Sequence, residues 1–362
     1  MPVSMRDLSL RPNHELAGAL FREGAGWNVP AEYSSRDVEV RAVRAGVGVI
    51  DLSDHTKLEL TGSERVSFLD GLVTADIKIL TPGTSAYALL LNEKSRVLGD
   101  VRVFAFPDSL VLDIEASQRD RVLQILERAR VSDDVEFKDL GVAGHLGIDG
   151  PNAATAVTSV AGIDVHGVAL NTFVNVMIDK RRGGRVVRVR AVGEDGFQVW
   201  AEGAGLAEMW RAFLRAGPTP VGRDAYEVLR IESGIPRYGM EMNEDTLALE
   251  VAPEYALSFT KGCYTGQEVV ARGTYVGQVR RKLMGLRVDA DIAPVQGDRV
   301  RRGDREVGFI TSGTWSPTLG WTIALALLRI DEVNPAETLH VDRGGWDLRA
   351  RLHPLPFVRP RS

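Results

Sequence analysis

Side chains able to act as nucleophile, ligand or cation crowd into one stretch, KGCYTGQEVVAR, from Lys261 to Arg272. It holds the chain's single cysteine, Cys263. Gly262 and Gly266 predict a tight loop, because glycine admits positive φ and close backbone approach. A cation beside a thiol favours the thiolate, which is the nucleophilic and metal-binding form. Lys261 therefore marks Cys263 as a candidate reactive residue. The residues alone also allow a plainer reading, since free cysteines are among the most buried side chains and usually serve as small hydrophobes.

The totals narrow the function classes. A chain of 362 residues is too long for one simple core and predicts two or three domains. Apolar content of 44% and charged content of 26% fit an ordinary globular protein, and a net charge of −5 gives no case for nucleic acid or a membrane surface. One cysteine excludes an internal disulfide framework and fits a reducing compartment. It also excludes a self-contained cysteine-ligated zinc or iron–sulfur site. The six histidines are scattered, with none at HxxxH spacing, so no metal site is expected. The N-terminus lacks the apolar run of a signal peptide, and Ile323 to Leu328 is too short to span a bilayer. The expectation is a cytoplasmic protein.

Period-two alternation predicts antiparallel hairpins through Ser85–Leu91, Val97–Phe106 and Ser109–Ile114. Helical spacing of apolar residues predicts helices over Arg119–Arg130 and Asp224–Gly234, and a short one over His14–Phe21. After Arg272 the pattern turns to strands and glycine-rich turns. This predicts a region from 1 to 280 followed by a small all-β domain from 281 to 362. Dinucleotide fingerprint, P-loop, GxSxG elbow and EF-hand are all absent.

Several stretches, in order, resemble the aminomethyltransferase superfamily: the glycine-cleavage T-protein and its folate-binding relatives. They are Arg44 to Ser53, Leu72-Val-Thr-Ala-Asp76, Tyr87, Leu91-Asn92, Gly193 to Gln198, Gly222 to Gly234, Tyr238 to Thr246, and Gly308 to Leu319. The resemblance implies an α+β, three-lobed fold with antiparallel sheets and a small C-terminal β-barrel. It implies a central cavity for tetrahydrofolate. By position, Gln198 matches the family's pterin-binding Glu and Arg223 its folate-contacting Arg, the alternative for Arg223 being a helix-start residue paired with a carboxylate. An amide at 198 loses the charge-assisted pair that a carboxylate offers. Glu194, Asp195 and Glu232 are candidate substitutes, and Tyr87 a further contact. At Val97-Leu98-Gly99-Asp100 the family carries an Asp-Asp pair. Gly99 takes the place of the first, expected to be the acting carboxylate. Asp100 matches the second and is expected on the opposite face of the strand, able to take over only through a bulge; it stands with Cys263 and Lys261 as a candidate catalytic residue.

KGCYTGQE further resembles the signature of the YgfZ-type branch, which is associated with tetrahydrofolate-dependent maintenance of iron–sulfur enzymes. That resemblance implies Cys263 at the cavity mouth with its pKa lowered by Lys261, Tyr264 packed beside it, and Gln267 and Glu268 fixing the loop. Iron–sulfur client proteins would then be partners besides the folate ligand. The alternative is a true aminomethyltransferase, passing a one-carbon unit from an amine donor to tetrahydrofolate.

Overall fold

Alternation along residues 99–105 of the strand Val97–Ala105 sets the architecture. Val101, Val103 and Ala105 are buried on one face, while Asp100, Arg102 and Phe104 point to the other. The computed structural model describes residues 5–142, 144–179, 182–201, 203–276 and 279–359. It places this strand in a five-stranded antiparallel sheet ordered Ser85–Leu91, Val97–Ala105, Leu110–Glu115, His55–Thr61, Glu136–Val142. Leu58, Leu60, Leu110, Leu112 and Ile114 share the apolar face, packed on helices Arg65–Asp70 and Arg119–Ala129. Burying each such side chain contributes about 1.5–3 kcal/mol, so this face is fixed toward the helices. The opposite face is left to His55, Lys57, Asp100, Arg102, Asp113 and Glu115.

A second sheet has six strands, ordered Phe173–Asp179, Arg182–Val189, Gly196–Ala201, Gly144–Asp149, Gly48–Asp51, Thr219–Pro220. Its outer face buries Ile148, Phe197 and Val199 against helices Ala153–Ala161 and Ala204–Ala216. Its inner face presents Gln198 and Trp200 to the first sheet. Trp200 meets Phe104 edge-on, with ring centroids 4.4 Å apart.

The C-terminal part is a closed six-stranded barrel running from Arg281–Val288 to Trp346–His353. It docks on the helix Arg223–Glu232 and the turn after it. Ser316 Oγ donates to Glu232 Oε1 at 2.5 Å, and Ser312 Oγ to Glu241 Oε1 at 2.5 Å. Arg230 Nη2 donates to Ser312 Oγ at 2.8 Å. Among the described residues no helix is long and apolar enough to cross a membrane.

The N-terminal segment differs from expectation. The helix is Arg11–Leu16, and residues 20–21 of the expected helix belong instead to the strand Leu20–Gly24, paired with Trp27–Glu32. Pro12 pre-sets the first helical turn and Gly18, at φ +80°, ends it. Ala25 and Gly26, both at positive φ, then make the two-residue turn that matches strand twist.

One buried carboxyl stands apart. Burial pushes the Asp149 carboxyl up to about 7, with Arg44 opposing and Glu194 adding to the shift. Its Oδ1 has no hydrogen-bond partner among the described residues. The folded-state value lies above the unfolded 3.8, so this group's contribution falls as pH rises from 3.8 to about 7 and is constant above. Asp149→Asn is therefore expected to stabilise the protein by about 1–2 kcal/mol at pH 8, with the gain shrinking toward pH 4. Thermal unfolding of both proteins at pH 5 and pH 8 checks this.

Candidate active site

Between the two sheets lies a cavity of about 570 Å³. The first sheet contributes His55, Asp100, Arg102, Asp113 and Glu115 to its wall. The second contributes Gln198, the helix Arg223–Glu232 contributes Arg223, Tyr226, Glu227 and Arg230, and the N-terminal hairpin closes one side with Arg22 to Ala25 and Val29. This volume lies within the usual range for small-molecule sites.

Asp100 faces this cavity. Tyr87 Oη donates to its Oδ2 at 2.9 Å and Gln118 Nε2 to its Oδ1 at 2.8 Å, while its own backbone N–H donates to Gln118 Oε1 at 3.1 Å. Burial raises its pKa, Glu115 raises it further, and the two hydrogen bonds only partly offset this. The sequence expectation for this strand is reversed. A Cβ at Gly99 would meet Gln118 Oε1 at 3.1 Å and Val122 Cγ2 at 3.5 Å, so position 99 faces the helix Arg119–Ala129 and the Gln118 side chain. A carboxylate there would stand outside the cavity. Asp100 reaches it beside a bulge, where Leu90 pairs with Gly99 but Leu91 pairs with Val97, and Gly99 removes no cavity group.

Gln198 lines the cavity and is buried, and its Oε1 has no partner among the described residues. A buried unpaired acceptor costs about 1–3 kcal/mol, a deficit that a ligand N–H relieves. Arg223 combines both readings considered for it. Its Nη2 donates to Asp54 and to Asp51 O at 3.0 Å, while its buried Nε is unpartnered and the side chain lines the cavity. Arg102 donates only to the neutral Asn171 Oδ1, at 3.0 Å, and Arg190 has no ion pair among the described residues. These two arginines are the wall's uncommitted cations.

Glu194 and Glu232 are not cavity residues. Arg44 binds both, Nη1 to Glu194 Oε1 at 2.7 Å and Nε to Glu232 Oε2 at 2.9 Å, and Ser316 takes the remaining Glu232 oxygen. All three ionic side chains are buried, and the cluster ties helix Arg36–Ala45 and helix Arg223–Glu232 to the barrel. Asp195 is spent on Arg188, at 3.0 and 2.9 Å.

The KGCYTGQE loop also differs from its expected role. Lys261 Nζ donates to Asp70 O at 2.5 Å, Asp70 Oδ1 at 3.1 Å, Val73 O at 2.8 Å and Ala75 O at 2.7 Å. An ammonium has three hydrogens, so it is fully occupied in tying the loop to Asp70–Ala75. Tyr264 is buried in an apolar cluster with Leu89, Leu91 and Val97, and burial pushes its hydroxyl up to about 12. Gln267 Nε2 reaches Lys261 O at 3.3 Å, and Gly266, at φ +82°, lies so close to the Asn92 carbonyl that a Cβ would clash at 2.6 Å. Cys263 is exposed. Neither it, Lys261 nor Tyr264 lines the cavity.

A group of titratable residues absent from the sequence expectations lies at the cavity edge. His55 Nδ1 is 3.1 Å from Asp113 Oδ1, and Lys57 Nζ donates to the same oxygen at 2.5 Å. Lys57 Nζ is also 3.4 Å from His145 Nδ1 and 4.6 Å from the Trp200 ring centre. Ligand-type atoms of His55, Asp113 and His145 lie within 4.8 Å of one another. The Lys57 ammonium already contacts two of the three, so the chain supplies its own cation there. The signal for this cluster was the ionisable residues at alternate positions in HTKLELT and LVLDIE.

Comparison with known proteins gives consistent findings. The GCVT N-terminal domain family matches residues 10–261, and the glycine cleavage T-protein C-terminal barrel domain matches residues 281–359. An aminomethyltransferase of Aquifex aeolicus is 32% identical over 349 residues, covering 96% of this chain and 94% of that protein. One from Rubrobacter xylanophilus is 30% identical over 360 residues, covering 98% and 95%. The crystal structure of glycine cleavage system aminomethyltransferase T from Bartonella henselae superposes with a TM-score of 0.90 at 24% identity, covering 98% of each chain.

Proposed function

Because this chain belongs to the glycine cleavage T-protein family, we propose that it transfers a one-carbon unit from an amine donor to tetrahydrofolate, with Asp100 as the proton acceptor. The observation that carries the reading is Asp100 itself, a half-buried carboxylate on the cavity wall, held by Tyr87 and Gln118, with its pKa raised. The residues fit the folate. Gln198 Oε1 is an orphaned acceptor suited to the N–H edge of a pterin, and Arg102 and Arg190 are cations suited to carboxylates of the tail.

Transfer of this kind joins the one-carbon unit to a folate nitrogen, and that nitrogen must shed a proton. Asp100 is held by Tyr87 and Gln118 to receive it. Its raised pKa makes it a stronger base than an exposed carboxylate. Val29, Leu52, Ile235 and Pro236 supply apolar parts of the same cavity wall.

Calorimetry with tetrahydrofolate tests the binding half of the reading. Saturable binding is expected, and Gln198→Glu is expected to tighten it about tenfold by restoring a charge-assisted pair. No saturable heat would remove the folate from the account.

A second reading, folate-linked support of iron–sulfur enzymes, keeps one specific observation. Cys263 is exposed on a loop whose Lys261 and Tyr264 are both buried anchors. With Asp100 in the cavity, the chemistry has no need to move to that loop. Cys263→Ser is expected to leave one-carbon transfer unchanged. Loss of iron–sulfur enzyme activity in cells carrying only that variant would favour the second reading.

A further inference from the structure

We propose that His55 is the proton donor of this cavity, held by Asp113 and Lys57 so that its free ring nitrogen protonates the amine that leaves the one-carbon donor. The inference rests on the transfer reading above.

The geometry begins with strand pairing. Lys57 stands directly opposite Asp113, and His55 opposite Glu115. Lys57 is buried, and its ammonium is fixed by Asp113 at 2.5 Å and by the face of Trp200. Burial would raise the Asp113 pKa, but the charges of Lys57 and His55 hold it well below the usual carboxylate range. Asp113 is thus a permanent acceptor for His55 Nδ1–H at 3.1 Å. That bond orients the ring and leaves Nε2 without a protein partner among the described residues. His55 and Asp100 both line the cavity.

The charges around His55 favour its protonated form. Asp54, Asp113 and Glu115 are negative neighbours, and Asp100 shares the cavity. Lys57 and Arg223 oppose them, and the His145 ring lies edge-on at 5.1 Å. Burial lowers the His55 pKa, but Asp113 and Asp54 together carry it above 6.5. His145, buried beside Lys57, is pushed well below 6.5 and stays neutral. The cavity therefore carries a proton acceptor and a proton donor on one sheet face, on either side of the strand Leu110–Glu115, with environments that separate their roles.

The proton balance closes. Asp100 takes the proton from the folate nitrogen as that nitrogen bonds the one-carbon unit. His55 gives its Nε2 proton to the leaving amine as the old carbon–nitrogen bond breaks and its electron pair passes to nitrogen. Closing the methylene bridge forms a bond from the second folate nitrogen to the same carbon and breaks the carbon–sulfur bond to the carrier, the proton shed by that nitrogen passing to the departing thiolate; the carbon keeps its oxidation level, so no oxidant or reductant is required.

The test is the pH dependence of methylenetetrahydrofolate formation from an aminomethyl-lipoyl carrier. His55→Gln is expected to lower kcat about 100-fold, to abolish the alkaline limb of the profile, and to leave tetrahydrofolate affinity within twofold. His55→Ala is expected to regain part of the rate when imidazole is added, which a structural role would not allow. An unchanged kcat and alkaline limb in His55→Gln, with an active wild type, overturns the donor role alone. An inactive wild type overturns the transfer reading and this role with it. Should the variants fail to fold, NMR titration of wild-type His55 decides: a pKa above 6.5 supports the role, and a lower one overturns it.

Discussion

Asp100→Asn is expected to lower kcat by about 10²–10⁴-fold while changing tetrahydrofolate affinity by less than tenfold. The amide keeps the size of the carboxyl and can keep its hydrogen bond from Gln118. It cannot accept a proton from a bound nitrogen. The loss should therefore fall on kcat, which is the mark of a group acting in the transition state. The wild-type profile should carry an acid limb set by Asp100. Burial, with Glu115 second, puts that limb above the ordinary carboxyl value of 3.8. Activity is lost as pH falls through it, because the protonated carboxyl is no longer an acceptor. Glu115→Gln removes one raising charge and should move the limb toward lower pH. A wild-type rate in Asp100→Asn would show that the proton goes elsewhere.

Lys261→Met is expected to destabilise the fold by about 3–5 kcal/mol, the usual result of removing one partner from a buried charge pair. The methionine fills the space but leaves the Asp70 carboxyl without its buried cation. It also leaves the carbonyls of Asp70, Val73 and Ala75 without their donor. Ile77 N–H and the exposed Lys78 still reach Asp70, so the loss is partial and the fold is weakened, not erased. Cys263→Ser, at an exposed position two residues away, should change stability by less than about 0.5 kcal/mol. Urea unfolding of the two variants separates the roles. A stable Lys261→Met protein with slowed alkylation of Cys263 would return the lysine to the thiol.

The fold was legible where periodicity and motif order agreed. The alternation in Ser85–Leu91 and Val97–Ala105 marked a hairpin, and the motifs from Arg44 to Leu319 pointed to the family's α+β architecture and closing barrel. The strand Val97–Ala105 also shows where reading went astray. Its own pattern, with Val101, Val103 and Ala105 apolar, puts odd positions on the core side and Asp100 in the cavity. Positional analogy with an Asp-Asp pair puts the acting carboxylate at position 99, whereas the cavity side of the strand carries Asp100, beside a bulge that the motif does not announce. Glu232 and Glu194 looked like ligand groups because charged residues near a motif attract that reading. Only the fold shows Arg44, 150 and 188 residues away in sequence, waiting for them. Lys261 was misread for the same reason: its neighbour in sequence is Cys263, but its partners are on Asp70–Ala75. The His55, Lys57, Asp113 and His145 cluster joins three strands from two sheets, so the alternation in HTKLELT and LVLDIE marks ionisable residues on single strands but not their meeting.

The account stands most directly on one assay, single-turnover formation of methylenetetrahydrofolate by the wild-type protein mixed with tetrahydrofolate and an aminomethyl-lipoyl carrier. Stoichiometric product with release of one ammonia per turnover is the predicted result. Tight folate binding with no product, at any pH between the Asp100 and His55 limbs, would contradict it.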